Sequence, residues 1–139
     1  MIPILGPTRL SDVSDESTAL ERQEASIYSY AQLKTQSTGK EHQVIQITQD
    51  PDVSGAVSPF KRDGLGPWLQ SPKLERWQML VVFSLDRLTR SIQDFEALYT
   101  FMEAHGKTLV SVRENIDFGT PHGRLIGRQL VLLPNTNAK

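Results

Sequence analysis

The chain has 139 residues, 38% hydrophobic and 22% charged, the make-up of a single globular domain. Its net charge of −1 excludes binding to nucleic acid by bulk charge, so any such affinity must come from a local basic site. The lack of cysteine excludes disulfides, thiolate zinc sites and cysteine nucleophiles. No run approaches the roughly 20 apolar residues of a membrane span. The N-terminus, MIPILGPTRLS, has no leading Lys or Arg and makes a poor signal peptide, so a cytoplasmic protein away from membranes is expected.

In chain order, ILGPTRLS reads as a first strand, which Pro7 confines to a sheet edge or a strand end. Thr18 and Glu21 have the spacing of a capping box. Behind them Leu20, Ala25, Ile27, Tyr28 and Ala31 predict a helix that stops near Gly39. The alternating, β-branched QVIQIT at 43–48 predicts a second strand. DPDVSGAVSPFKRDGLGPW is dense in Gly, Pro, Ser and Asp and predicts a long loop, of a length that is usually functional or mobile. A short helix around Trp68 and Leu69 leads to MLVVFSL, a continuous apolar run typical of a strand covered on both faces. Ile92, Phe95, Leu98, Tyr99 and Met102 recur at helical spacing up to Gly106, and TLVSV is a further strand. Thr120 and Pro121 open a last helix carrying Leu125, Ile126, Leu130 and Leu133. The β-α-β-α-β-α-β-α order predicts an α/β sandwich with a mostly parallel sheet of four to five strands and helices on both faces.

In such sheets ligands bind at the carboxyl ends of the strands. Arg9 and Ser11 follow the first strand, while Asp86, Arg87 and Arg90 follow the apolar one. If those strands are neighbours, a serine hydroxyl meets guanidinium groups, which stabilise charge spreading over phosphate oxygens through paired hydrogen bonds. That combination suits phosphoryl transfer without a metal. Taken singly, each residue also has an ordinary structural reading. Ser11 fits a turn or cap, Asp86 fits the N-cap of the next helix, and Arg87 and Arg90 fit a solvated helix face paired with Asp94. His42, His105 and His122 lack ligand spacing and read as surface residues, so no metal site is expected. Glu114 and Asp117 read as turn caps, and Trp68 and Trp77 as core rather than base-stacking platforms.

The ordered set Arg9-Leu10-Ser11, DESTALERQ ending at Gln23, Asp52-Val53-Ser54-Gly55, Pro59-Phe60-Lys61-Arg62, LDRLTRS and ENIDFGTPHGRLIGR resembles the catalytic domain of the serine recombinases. The likeness is closest to the large serine integrases of actinobacterial phages and integrative elements, and it covers roughly residues 9–133. It implies a three-layer resolvase-like sandwich and a site-specific recombinase acting in DNA integration and excision. By the resemblance Ser11 is the nucleophile that forms a 5′-phosphoserine link to DNA. Arg9, Arg87 and Arg90 surround the scissile phosphate, and Arg62 completes the cage from a mobile loop. Asp86 orients these arginines and assists proton transfer, with Gln23, Ser54 and Asp52 in support. The family uses no cofactor, takes double-stranded DNA as its partner, and works as a homo-oligomer, dimer to tetramer.

Family members continue their last helix into an acidic, arginine-rich stretch that carries the dimer interface and leads to DNA-binding domains. Here Pro134 and Asn135-Thr136-Asn137 stop that helix, so residues 1–133 are expected to be a catalytic domain truncated in its last helix and 134–139 a tail outside the family. Pro7 and Gln78 also depart from the family pattern, away from the expected phosphate cage. An alternative is a catalytically silent module that pairs with a full-length recombinase. A flavodoxin-like small-molecule binder is a weaker one, since no glycine-rich loop follows the first strand.

Overall fold

The computed structural model describes residues 1–10, 17–50, 57–119, 121–123, 125, 126 and 129. The predicted cap Thr120 and the predicted helix residues Leu130 and Leu133 lie outside these. Strand β1 (Ile2–Arg9) leads to helix α1 (Ser17–Thr38) and strand β2 (His42–Asp50). Three 3-10 turns, Pro59–Lys61, Gly66–Leu69 and Lys73–Arg76, precede β3 (Met79–Val82). A fourth, Leu85–Arg87, precedes helix α2 (Ile92–Ala104), which is followed by β4 (Thr108–Ser111) and β5 (Ile116–Asp117). Residues 121–123 are helical, where the last helix was expected.

The sheet order is β2-β1-β3-β4-β5, parallel except for β5, which runs antiparallel to β4. Successive residues of each strand point to opposite faces and seed separate cores. Leu5, Leu80 and Leu109 join Phe95, Leu98 and Met102 of α2 on one face. Ile4, Val81 and Val110 join Ile27 and Ala31 of α1 on the other. The molecule is therefore three layers, helix on sheet on helix. From β1 the chain crosses outward through α1 to β2, and from β3 it crosses the opposite way through α2 to β4. Right-handed crossovers in opposite directions put the two helices on opposite faces. The strand order thus reverses between β1 and β3, and the carboxyl ends flanking such a reversal are where open α/β sheets bind ligands.

Several expectations need correction. Strand β1 is interior, bonded to β2 along its length and to β3 at Ile4 and Leu5; Pro7 is tolerated because it lies past the β3 ladder. Helix α1 already includes Ser17, so Thr18 stands inside it, where its hydroxyl accepts from Arg22. The buried stripe of α1 is Ala19, Gln23, Ile27 and Ala31, four apart, while Ala25 and Tyr28 face solvent. The reason is close approach: a Cβ on Gly6 would lie 2.9 Å from both Ile27 Cγ2 and Ile47 Cδ1. A helix seated that low presents its smallest residues and one amide, not its rings. The apolar run 79–85 is only a four-residue strand before the chain turns at Leu85. His42 is buried, its Nδ1 facing the Lys40 carbonyl at 2.7 Å, which corrects the surface reading for that histidine.

The carboxyl end of β3 and the loop before it

Six polar side chains, those of Arg9, Gln23, Asp50, Arg62, Ser84 and Thr89, are buried at the carboxyl end of the sheet. Burying so much polarity is stable only when the groups bond one another. Arg9 ends β1, and Gln23 grips its main chain twice. The Gln23 amide accepts from Arg9 N at 3.1 Å and donates to Arg9 O at 2.9 Å. The Arg9 guanidinium donates to the main-chain carbonyl of Asp86 through Nη2. In return Arg87 Nη1 donates to Arg9 O at 3.2 Å.

Arg62 arrives from the long loop and is 2% exposed. Its Nη1 donates to Arg87 O at 2.9 Å and its Nη2 to Leu88 O. Its Nε, also buried, meets no acceptor among the described residues. Burial pushes the Arg62 pKa down to about 10, and the charge of Arg9 adds to that; Asp50 and Asp94 act the other way. It remains a cation at neutral pH, pressed against a second cation.

The stretch of loop that carries Arg62 is packed, contrary to the mobile loop expected there. Ser58 caps the turn through Phe60 N, and Phe60 stacks edge-on against Phe101 of α2, centroids 5.2 Å apart. Leu65, Trp68 and Leu69 enter the core. Asp50, the last residue of β2, clamps the loop: Oδ1 accepts from Gly64 N at 2.6 Å and Oδ2 from Leu65 N at 3.2 Å. A Cβ at Gly64 would sit 2.6 Å from Gln49 O, so only glycine fits beneath the clamp. Asp50 was absent from the sequence candidates because the strand was drawn to end at residue 48, two positions short. The alternating pattern continues to Asp50 and is the signal that would have found it.

The Asp86 carboxylate accepts from Ser84 Oγ. Asp86 does not cap α2. Ser91 does, accepting from Asp94 N at 3.2 Å, while Thr89 Oγ1 accepts from Ser91 N at 3.0 Å. Arg87 and Arg90 therefore do not share a helix face. Arg87 is half-buried in the 3-10 turn and Arg90 is exposed beyond it. Ser11, Asp52 and Ser54 lie outside the described residues. Glu114 does act as a cap, accepting from Ser111 Oγ and from Leu85 N at 3.4 Å, and Asp117 Oδ1 accepts from Gly119 N at 2.8 Å. Trp68 and Trp77 are core, Trp77 Nε1 donating to Trp68 O at 2.8 Å. No group of three or more His, Asp or Glu placed to hold a metal occurs among the described residues. No helix among them is long and apolar enough to cross a membrane.

The arrangement is a braced turn: Arg9 and Arg62 donate to the carbonyls of residues 86–88 and Arg87 to that of Arg9, with half-buried Arg87 and exposed Arg90 on its open side. Such a cluster attracts an anion with several oxygens, phosphate above all.

The chain is similar in fold to the N-terminal catalytic domain of TP901-1 integrase, with a TM-score of 0.73, 22% identity, and coverage of 96% of this chain and 94% of that one. It is also similar to the C-terminal catalytic domain of ISC1926 TnpA, an IS607-like serine recombinase, with a TM-score of 0.65 and 25% identity over 80% of this chain and 69% of that one. A resolvase family site-specific recombinase from Streptococcus pneumoniae superposes with a TM-score of 0.68 and 18% identity, covering 99% and 91%. No curated protein matches the sequence. The family model described as "Resolvase, N terminal domain" matches residues 5–133. With the five-stranded, mostly parallel sheet and the arginine cluster at its switch point, this means that the chain belongs to the resolvase N-terminal domain family, the catalytic domain of serine recombinases.

Proposed function

We propose that this chain is the catalytic domain of a site-specific DNA recombinase that cuts and rejoins double-stranded DNA through Ser11. The observation that supports the reading is the hydrogen-bonded linkage of Arg9, Arg62 and Arg87 at the carboxyl ends of β1 and β3, with Ser11 two positions beyond Arg9. The Ser11 hydroxyl attacks the phosphorus of a phosphodiester. The Oγ–P bond forms and the P–O3′ bond breaks. Serine gives up its proton and the departing O3′ takes one, leaving a 5′-phosphoserine link and a free 3′-hydroxyl. Attack by a 3′-hydroxyl from another duplex reverses the step, so the reaction balances without nucleotide or metal.

Each arginine has a part set by its exposure. Arg87 and Arg90, on the open side, hold the non-bridging oxygens, whose charge grows in the transition state. Arg9 and Arg62 spend donors on the carbonyls of residues 86–88, fixing the turn while adding positive charge behind the phosphate. Five donors per guanidinium leave some for the substrate. Asp86 stands beside them for proton transfer to the leaving oxygen and Gln23 holds Arg9, while Asp52 and Ser54 match supporting positions of the family. Exchange between two duplexes needs several copies, so the working form is a homo-oligomer, dimer to tetramer, on DNA.

The test joins the whole chain to the DNA-binding region of a characterised relative and offers it that relative's recombination site with a nick. A protein–DNA adduct that survives denaturation is expected, and Ser11→Ala should abolish it. An undiminished adduct from the alanine variant would overturn the assignment.

A further inference from the structure

We propose that Glu114, on the turn after β4, is a positioning residue for the cleavage reaction: it fixes where the arginine-bearing turn leaves the sheet. The inference rests on the recombinase reading above. Beyond the last paired residues of β3 and β4 the main chains keep bonding, Val112 N to Val82 O at 2.9 Å and Arg113 N to Phe83 O at 2.8 Å. The next rung is made by a side chain. Leu85 N donates to Glu114 Oε1 at 3.4 Å, and Ser111 Oγ, fully buried, donates to the same oxygen.

Leu85 is the first residue of the 3-10 turn that holds Asp86 and Arg87. The residue in the N-cap place, Ser84, makes no capping bond to a main-chain N–H of the turn; its hydroxyl donates to the Asp86 carboxylate instead. The opening amide of the turn would otherwise lack an acceptor, and Glu114 supplies one from the neighbouring strand. The turn is thus held at both ends. Glu114 fixes its first N–H, while Arg9 and Arg62 take the carbonyls of Asp86, Arg87 and Leu88. Losing the first anchor lets residues 84–87 swing about the second, and Arg87 shifts relative to Arg9 with the core intact. A small displacement of a charged group at a phosphoryl-transfer site is costly in rate.

Three variants test this in the fusion protein with the nicked site. Glu114→Ala should slow adduct formation about tenfold with DNA affinity unchanged. Glu114→Gln keeps the accepting oxygen and should restore the rate to within about threefold of wild type. Ser111→Ala should slow the reaction less and add little to Glu114→Ala, since both act through one oxygen. Hydrogen exchange gives a readout without DNA: the Leu85 amide should exchange faster in Glu114→Ala while β1 and β3 amides keep their protection. A Ser11-dependent adduct formed at full rate by Glu114→Ala, or Leu85 protection unchanged in it, would overturn this inference alone. Equal slowing by Ala and Gln would also overturn it, in favour of a role for the charge. If wild type forms no Ser11-dependent adduct, the recombinase reading fails and the positioning role falls with it.

Discussion

The two ends of the sheet handle positive charge in opposite ways. At the amino end Lys73 and Arg76 lie over the Trp68 ring at 5.2 and 5.1 Å, and Lys107 lies over Trp77 at 4.6 Å. There the tryptophans are buried while Arg76 is exposed and Lys73 and Lys107 are only half-buried, with Lys107 also donating to Trp77 O. At the carboxyl end the order is inverted. Arg9 and Arg62 are inside, and main-chain carbonyls from a turn fold around them. The amino end spends its charge on solubility and on covering aromatic faces. The carboxyl end accepts the cost of desolvating two like charges side by side, a cost that makes sense where an anion is to be bound.

Substitutions can break or sharpen that contrast. The largest effect is expected from Arg62→Met, which leaves the carbonyls of Arg87 and Leu88 buried without their donors and should cost about 3 kcal/mol in chemical denaturation. Gly64→Ala comes next at about 2 kcal/mol, since the new methyl group collides with the Gln49 carbonyl; the measurement is the denaturation midpoint, with adduct yield alongside. Asp50→Asn should cost a similar or slightly smaller amount, about 1–2 kcal/mol, because an amide NH2 would face one of two main-chain N–H donors. Both should slow DNA cleavage by more than stability explains if the clamp positions Arg62. Trp77→Phe removes the bond to Trp68 O and should cost about 1 kcal/mol with the adduct rate unchanged. Arg76→Met should be smallest, under about 1 kcal/mol by the same denaturation assay. Equal losses from Arg62→Met and Arg76→Met would erase the distinction between the two ends.

Much of the scaffold was legible. QVIQIT, MLVVFSL and TLVSV are β-branched runs that became β2, β3 and β4, and Gly39 and Gly106 stop the helices at φ values of 74° and 66°. The family resemblance carried Arg9, Arg62, Arg87 and Arg90 as a set, and the resolvase family it pointed to is the one that matches residues 5–133. What sequence reading missed depends on tertiary context. Strand β5 is two residues long and has no periodicity to read. The α1 stripe follows the height of the helix over the sheet, so a polar Gln23 displaced Ala25 and Tyr28 from the interior. That Arg62 is packed and bonded to a turn some 25 residues away follows from Phe60, Leu65 and Asp50 acting together. No local pattern announces that combination.

The bare backbone at Gly6 has an effect well beyond its own strand. Because Ile27 rests where a side chain would be, α1 is lowered until Gln23, one turn earlier, can reach the main chain of Arg9. Adding a single methyl group there would lift the helix like a shim under a beam, and the amide would lose its hold on the arginine. The spacing between two layers of the sandwich thereby sets the aim of a side chain at the rim, from a position that carries no side chain of its own.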